Sequence, residues 1–168
     1  MDLLKKYEAN TASFIELIKD FPDSLFNSKP TENIWSAAEN VDHIIRSEFG
    51  IARLFNGDTK KDPGRDINEK IENIESQFLD RSRKLQASGV VLPSDGEKSK
   101  SELIKKFESS RNQVLGLIKT QDLDEVCIRF EHPLFGHMTR REWVHFNIVH
   151  TQRHGKQISE LKGQLNKK

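Results

Sequence analysis

Residues 139–161 read TRREWVHFNIVHTQRHGKQISEL, and the reading of this stretch decides the fold. Thr139 and Glu142 stand in the T-x-x-E arrangement whose side chains satisfy free amide hydrogens at a helix start. Trp143, Phe146 or Asn147, His150, His154, Ile158 and Leu161 then recur at three- and four-residue steps. That is one face of a helix running to about Leu161, and a helix with such a face must bury it against others. The same period appears at Leu4, Tyr7, Thr11, Phe14 and Ile18, ending near Phe21-Pro22. Ser36 and Glu39 form a second capping box, opening a run predicted to be helical to about Phe55. Ile67, Ile71, Ile74, Phe78 and Leu85 carry a third helix as far as Ser88-Gly89, and Leu103, Phe107, Val114 and Ile118 a fourth.

Between the fourth helix and Thr139, residues 121–138 read as irregular, with Pro133 and Gly136 as breakers and one short extended piece at Val126–Phe130. No alternating strand pattern and no repeat appears. Five amphipathic helices predict an all-α domain over residues 1–168, with four main helices around one core and a fifth helix or connector outside. The passage through SDGEKSK and the 121–138 segment become the long crossovers.

A chain of 168 residues is long enough to bury a core without staples. Cys127 is the single cysteine, so no intramolecular disulfide forms, which fits a reducing cytoplasm. Twenty-seven basic residues against 26 acidic ones leave almost no net field. Nucleic-acid binding and polybasic membrane attachment depend on such a field, so neither partner is expected. No stretch approaches the ~20 apolar residues of a membrane span, and the amino terminus lacks a signal-type apolar core.

Six histidines are the main chemical resource. His150 and His154 are four apart, about 40° around a helix and one turn above the other, so one ion can take both. The competing reading is two interior imidazoles hydrogen-bonded to their surroundings, and spacing leaves both open. Metal ligation would need each second ring nitrogen held by a partner, for which Gln157 is a candidate. H-E-x-x-H is absent, since Thr151 and Gln152 occupy those places, which removes a zincin-type protease. His43 lies nearly opposite the apolar stripe of Ala38, Val41, Ile45 and Ala52, which reads as surface. Its own side carries Ser36, Glu39, Asn40 and Ser47, groups able to wall a cavity as readily as face solvent. His145 lies roughly 140° from His150 and is a poor co-ligand. His132 and His137 flank a loop. Cys127, set among Val126, Ile128 and Phe130, reads as a buried thiol rather than a nucleophile.

IWSAAENVDHI at 34–44 and HPLFGHMTRREWVHFNIVHTQRHGKQI at 132–158 resemble the two signature regions of the DinB-like superfamily of four-helix-bundle proteins. The diagnostic part is the W-S-x-x-E-x-x-x-H run combined with a late H-x-x-x-H-x-x-Q-I, and the likeness spans almost the whole chain. The resemblance implies an up-down-down-up bundle in which one histidine of the second helix and two of the last surround a divalent metal, nickel, zinc or manganese. Carried over by motif position, the ligands are His43, His150 and His154.

Three nitrogen ligands with an open fourth position are what catalytic zinc sites require. The resemblance therefore implies a metal-dependent enzyme, a thiol-S-transferase acting with a low-molecular-weight thiol or a hydrolase on another small molecule. The alternative is a non-enzymatic stress-response or binding module whose site is structural or empty. Homodimers are common among similar proteins and are an expectation here. Sulfoxide synthases with a DinB-like part carry Glu two residues after the second clustered histidine, where this chain has Lys156; that departure argues against iron-dependent sulfoxide chemistry. Glu39, one turn before His43, reads first as a capping residue and second as an orienting group. Trp35 reads first as core and second as a pocket wall.

Overall fold

A computed structural model of the chain describes residues 2–83 and 85–165. Helix α1 spans Leu3–Lys19, α2 Ala37–Glu48, α3 Ile51–Phe55, α4 Ile71–Leu79, α5 Lys100–Thr120 and α6 Arg140–Leu165. Two-residue strands β1, Thr59–Lys60, and β2, Val126–Cys127, pair antiparallel with Thr59 opposite Cys127. Both capping boxes form. The amide of Glu39 donates to Ser36 Oγ at 3.1 Å while Glu39 Oε2 accepts from Ser36 at 2.8 Å. Thr139 and Glu142 repeat the pattern at 3.1 and 2.8 Å.

Side-chain pairs give the topology. Asn10 meets Ile148, Phe14 and Leu17 lie by Gly155, and Lys162 reaches Asp20, so α1 and α6 run parallel. Asn40 meets His154 and His43 meets His150, so α2 opposes α6. Phe14 packs on Phe107 and Arg111 reaches Asn10, so α5 opposes α1. The order is up-down-down-up, an all-α bundle of α1, α2, α5 and α6 with α4 packed along α6.

Two apolar clusters fill the bundle. One gathers Phe14, Ile18, Val41, Ile44, Phe107, Ile158 and Leu161. The other gathers Tyr7, Phe55, Ile74, Phe78, Val114, Trp143 and Val144. Each fully buried side chain of this size stabilises by about 1.5–3 kcal/mol. Between the clusters each main helix contributes polar groups: Asn10 and Thr11 from α1, Glu48 from α2, Arg111 from α5, Thr151 from α6. Arg111, 1% exposed, donates from Nε to Glu48 Oε2 at 2.7 Å and from its terminal nitrogens to Glu48 Oε1, Asn10 and Thr151.

Three sequence expectations change. The second helix breaks at Phe49-Gly50, which lets α3 turn and pack on α5. The third helix is shorter than the Ile67–Leu85 periodicity implies. It ends at Leu79 because the Arg153 guanidinium takes the carbonyls of Phe78 and Asp80, groups a continuing helix would need. Its start is set at Ile71, where the amide of Lys70 donates to Glu142 at 3.0 Å. The extended piece is confined to β2, and its partner β1 was not foreseen. No helix among the described residues is long and apolar enough to cross a membrane.

Candidate metal centre

His43 sits in the middle of α2, and His150 and His154 one turn apart on α6. Because the two helices are antiparallel neighbours, the three side chains converge. One ligand atom from each lies within 4.8 Å of the others, and all three residues are buried, at 4%, 6% and 6% exposure. His43 is therefore not a surface residue. The side opposite its apolar stripe is covered by α6 and by the segment before α5, so α2 is buried on two faces. Ile45, on the stripe itself, is only half-buried.

Hydrogen bonds fix which nitrogens are free. His43 Nδ1 lies 2.7 Å from the carbonyl of Val91, which can only accept, so this nitrogen carries the proton and Nε2 keeps its lone pair. His154 Nδ1 lies 2.7 Å from Asn40 Oδ1. The Asn40 amide nitrogen already donates to the Ser36 carbonyl at 2.9 Å, which leaves Oδ1 to accept and frees His154 Nε2. His150 Nε2 stands 3.1 Å from His43 Nε2, close to the ~3.3 Å that separates two nitrogens sharing a tetrahedral ion. With His43 Nε2 unprotonated, that contact is a hydrogen bond only when His150 carries its proton on Nε2. A shared cation requires the proton on Nδ1, a buried atom with no hydrogen-bond partner. The donor set thus fits a divalent ion that accepts neutral imidazole.

Burial also keeps the bases neutral. It drives His150 and His154 well below the ordinary imidazole range, and crowding among the three rings adds to the effect. His43 is lowered by burial too, against the opposing pull of its bond to Val91. Aromatic rings line the cluster. Trp35 packs on His43 at 5.0 Å and stacks on His154 at 6.2 Å, while Phe146 stacks on His150 at 5.2 Å and Phe78 meets it edge-on at 5.5 Å.

The remaining candidates fall elsewhere. His145 pairs with Glu75 at 2.9 Å. His132 stacks on Phe135 and meets Phe146 edge-on, and burial pushes it down to about 4. The His137 carbonyl accepts from Lys70 at 2.8 Å. Neither joins the cluster. Glu39 is committed to its cap and to Lys29, 3.0 Å away, so it does not orient His43. Trp35 is a wall of the site. Burial pushes the Cys127 thiol up to about 11, which keeps it protonated and inert. Lys156 is exposed. Gln157 interacts with His154 as the sequence suggested, and the Nδ1 proton is held by Asn40, which the sequence offered only as a cavity wall. Its signal was present, one turn ahead of His43 on the polar side.

Fold and site together define a class, a helical bundle with a buried three-histidine centre between its second and last helices. A family model described as the DinB superfamily matches residues 6–158, and the chain belongs to that superfamily. It is 28% identical over 161 residues to the uncharacterized protein YuaE of Bacillus subtilis (strain 168), covering 94% of this chain and 95% of that protein. No solved structure matches the chain significantly.

Proposed function

We propose that the chain is a divalent-metal-dependent enzyme, thiol-S-transferase-like or hydrolytic, acting on a small-molecule substrate such as a low-molecular-weight thiol. The observation that carries this reading is the donor set: three neutral imidazoles share one point, with no carboxylate or thiol in the group. Closed structural sites are completed by a fourth protein ligand, whereas a three-ligand set leaves a corner for substrate. A divalent ion held there supplies a positive charge that eases deprotonation of a thiol or water at neutral pH.

The chain's own residues prepare that chemistry. Val91 and Asn40 hold the protons of His43 and His154 on Nδ1, so the facing nitrogens are available without a competing proton. Trp35, Phe78 and Phe146 exclude water and favour a substrate with apolar surface beside its reacting atom. A structural role is the second reading, favoured by the low exposure of all three histidines and by the position of a surface cleft lined by none of them. That cleft, of about 600 Å³, lies on the outer side of α6 around Leu17, Leu79 and Gly155.

The separating experiment is a thiol-conjugation assay over a panel of electrophiles and thiols. The enzyme reading expects activity that disappears on chelation and returns with one of zinc, nickel or manganese. Inactivity across the panel, together with a melting temperature that falls on chelation, would leave the structural role.

A further inference from the structure

Residues between α4 and α5 cross the outer face of α2 and reach the centre from outside. From Leu85 to Ser99 no residue is buried, and Val90 is 83% exposed. The segment is tied to the bundle by polar bonds. At one end Arg153 donates to the carbonyl of Arg83 at 2.7 Å, and at the other Asn27 exchanges two bonds with the backbone of Lys98 at 3.0 and 2.9 Å. Between these anchors three side chains of α2 hold it. Asp42 Oδ2 accepts from the amide and hydroxyl of Ser94 at 2.7 and 2.8 Å, His43 Nδ1 donates to Val91, and Arg46 Nε donates to the Val90 carbonyl at 3.0 Å. The turn that presents Val91 is a single 3-10 turn over Gly89–Val91, and Gly89 has φ +62°, a left-handed conformation that disfavours any side chain.

We propose that Ser88–Ser94 is a strap whose docking on α2 positions His43 and sets how long the metal stays bound, with Asp42 and Arg46 as the positioning residues that hold it down. The inference rests on the three-histidine reading above. A segment held by a few exposed or part-buried hydrogen bonds, with no buried side chain of its own, opens locally at little cost, because each such bond is largely replaced by one to water. Undocking removes the carbonyl that holds the His43 proton on Nδ1 and lets that ring rotate. Linkage then requires the converse, that an ion holding His43 in place also holds the strap.

The test uses zinc-loaded, untagged full-length protein and the rate of zinc transfer to excess chelator. Arg46→Met removes a cation, so electrostatics alone would slow release, whereas loss of the strap's tether speeds it. Gly89→Ala strains the turn with no change of charge and no close neighbour to displace. Both variants are expected to release zinc roughly tenfold faster or more. Hydrogen exchange at Leu92 and Ser94 is expected to slow when zinc binds. Unchanged or slower release in both variants, with exchange indifferent to zinc, would overturn the strap while leaving the metal centre standing. Zinc binding that persists after His43→Ala or is absent from the wild type would overturn both.

Discussion

Two buried polar clusters bridge α2 and α6 on adjacent turns, and they differ in what is left unspent. Around Arg111 the charges are paired: the guanidinium faces Glu48 through two nitrogens and takes further acceptors from α1 and α6, while the neighbouring Asn147 amide and Tyr7 hydroxyl stay unpartnered among the described residues. Around His150 the ligand nitrogens of three imidazoles lie within 4.8 Å of one another, and one buried nitrogen has no partner. Thr151 belongs to the first cluster and His150 to the second, so neighbouring residues of α6 serve opposite ends. A cluster whose charges neutralise each other fixes the packing of four helices; one whose ligand nitrogens converge without a cation invites one.

The sharpest way to break that contrast is to damage each cluster and ask what is lost. Arg111→Met leaves Glu48 buried without its counter-charge and is expected to cost about 3–5 kcal/mol in urea unfolding, with zinc stoichiometry of the folded fraction unchanged. At the histidines the effect should run through the ligand instead. Zinc at a thousandfold excess over its Kd is expected to stabilise the wild type by about 4 kcal/mol in the same titration, and the His150→Ala, His154→Ala double variant not at all. A stabilisation that survives in the double variant would move the centre elsewhere.

Smaller effects sharpen the picture. Asn40→Ala removes the acceptor for His154 and is expected to weaken zinc binding roughly 10- to 100-fold by competition with a chromogenic chelator, with Asn40→Asp recovering most of it because the acceptor is kept. The smallest effect is on acid stability. Folded His150 and His154 are held below their ordinary value, so as pH falls through about 6.5 the unfolded chain takes up protons that the folded chain refuses. Metal-free protein should therefore be pH-insensitive on their account above that point. Below it, about 1 kcal/mol per histidine should be lost by pH 5.5, read from urea melts. Melts that superimpose from pH 7.5 to 5.5 would mean that the rings are charged or solvated.

Much of this was legible in the chain because local rules and tertiary packing agreed. The capping boxes at Ser36 and Thr139 marked two helix starts, and the four-residue spacing of His150 and His154 placed both on the inward face. His43 was illegible from periodicity, because α2 is covered on two sides and a helix wheel registers only its apolar stripe; family likeness supplied it. Glu48 and Arg111 carried no signal in the sequence, since nothing local reveals that residues 63 positions apart will neutralise each other. The acceptor Val91 was hidden for the same reason, being a backbone carbonyl in a loop, whereas Asn40 stood in plain view on the polar side of α2.

The most direct measurement is the metal content of untagged protein, by elemental analysis, beside the His150→Ala, His154→Ala variant. Convergence of three imidazoles on one ion predicts about one divalent metal per wild-type chain and essentially none in the variant. Equal content in the two would contradict it.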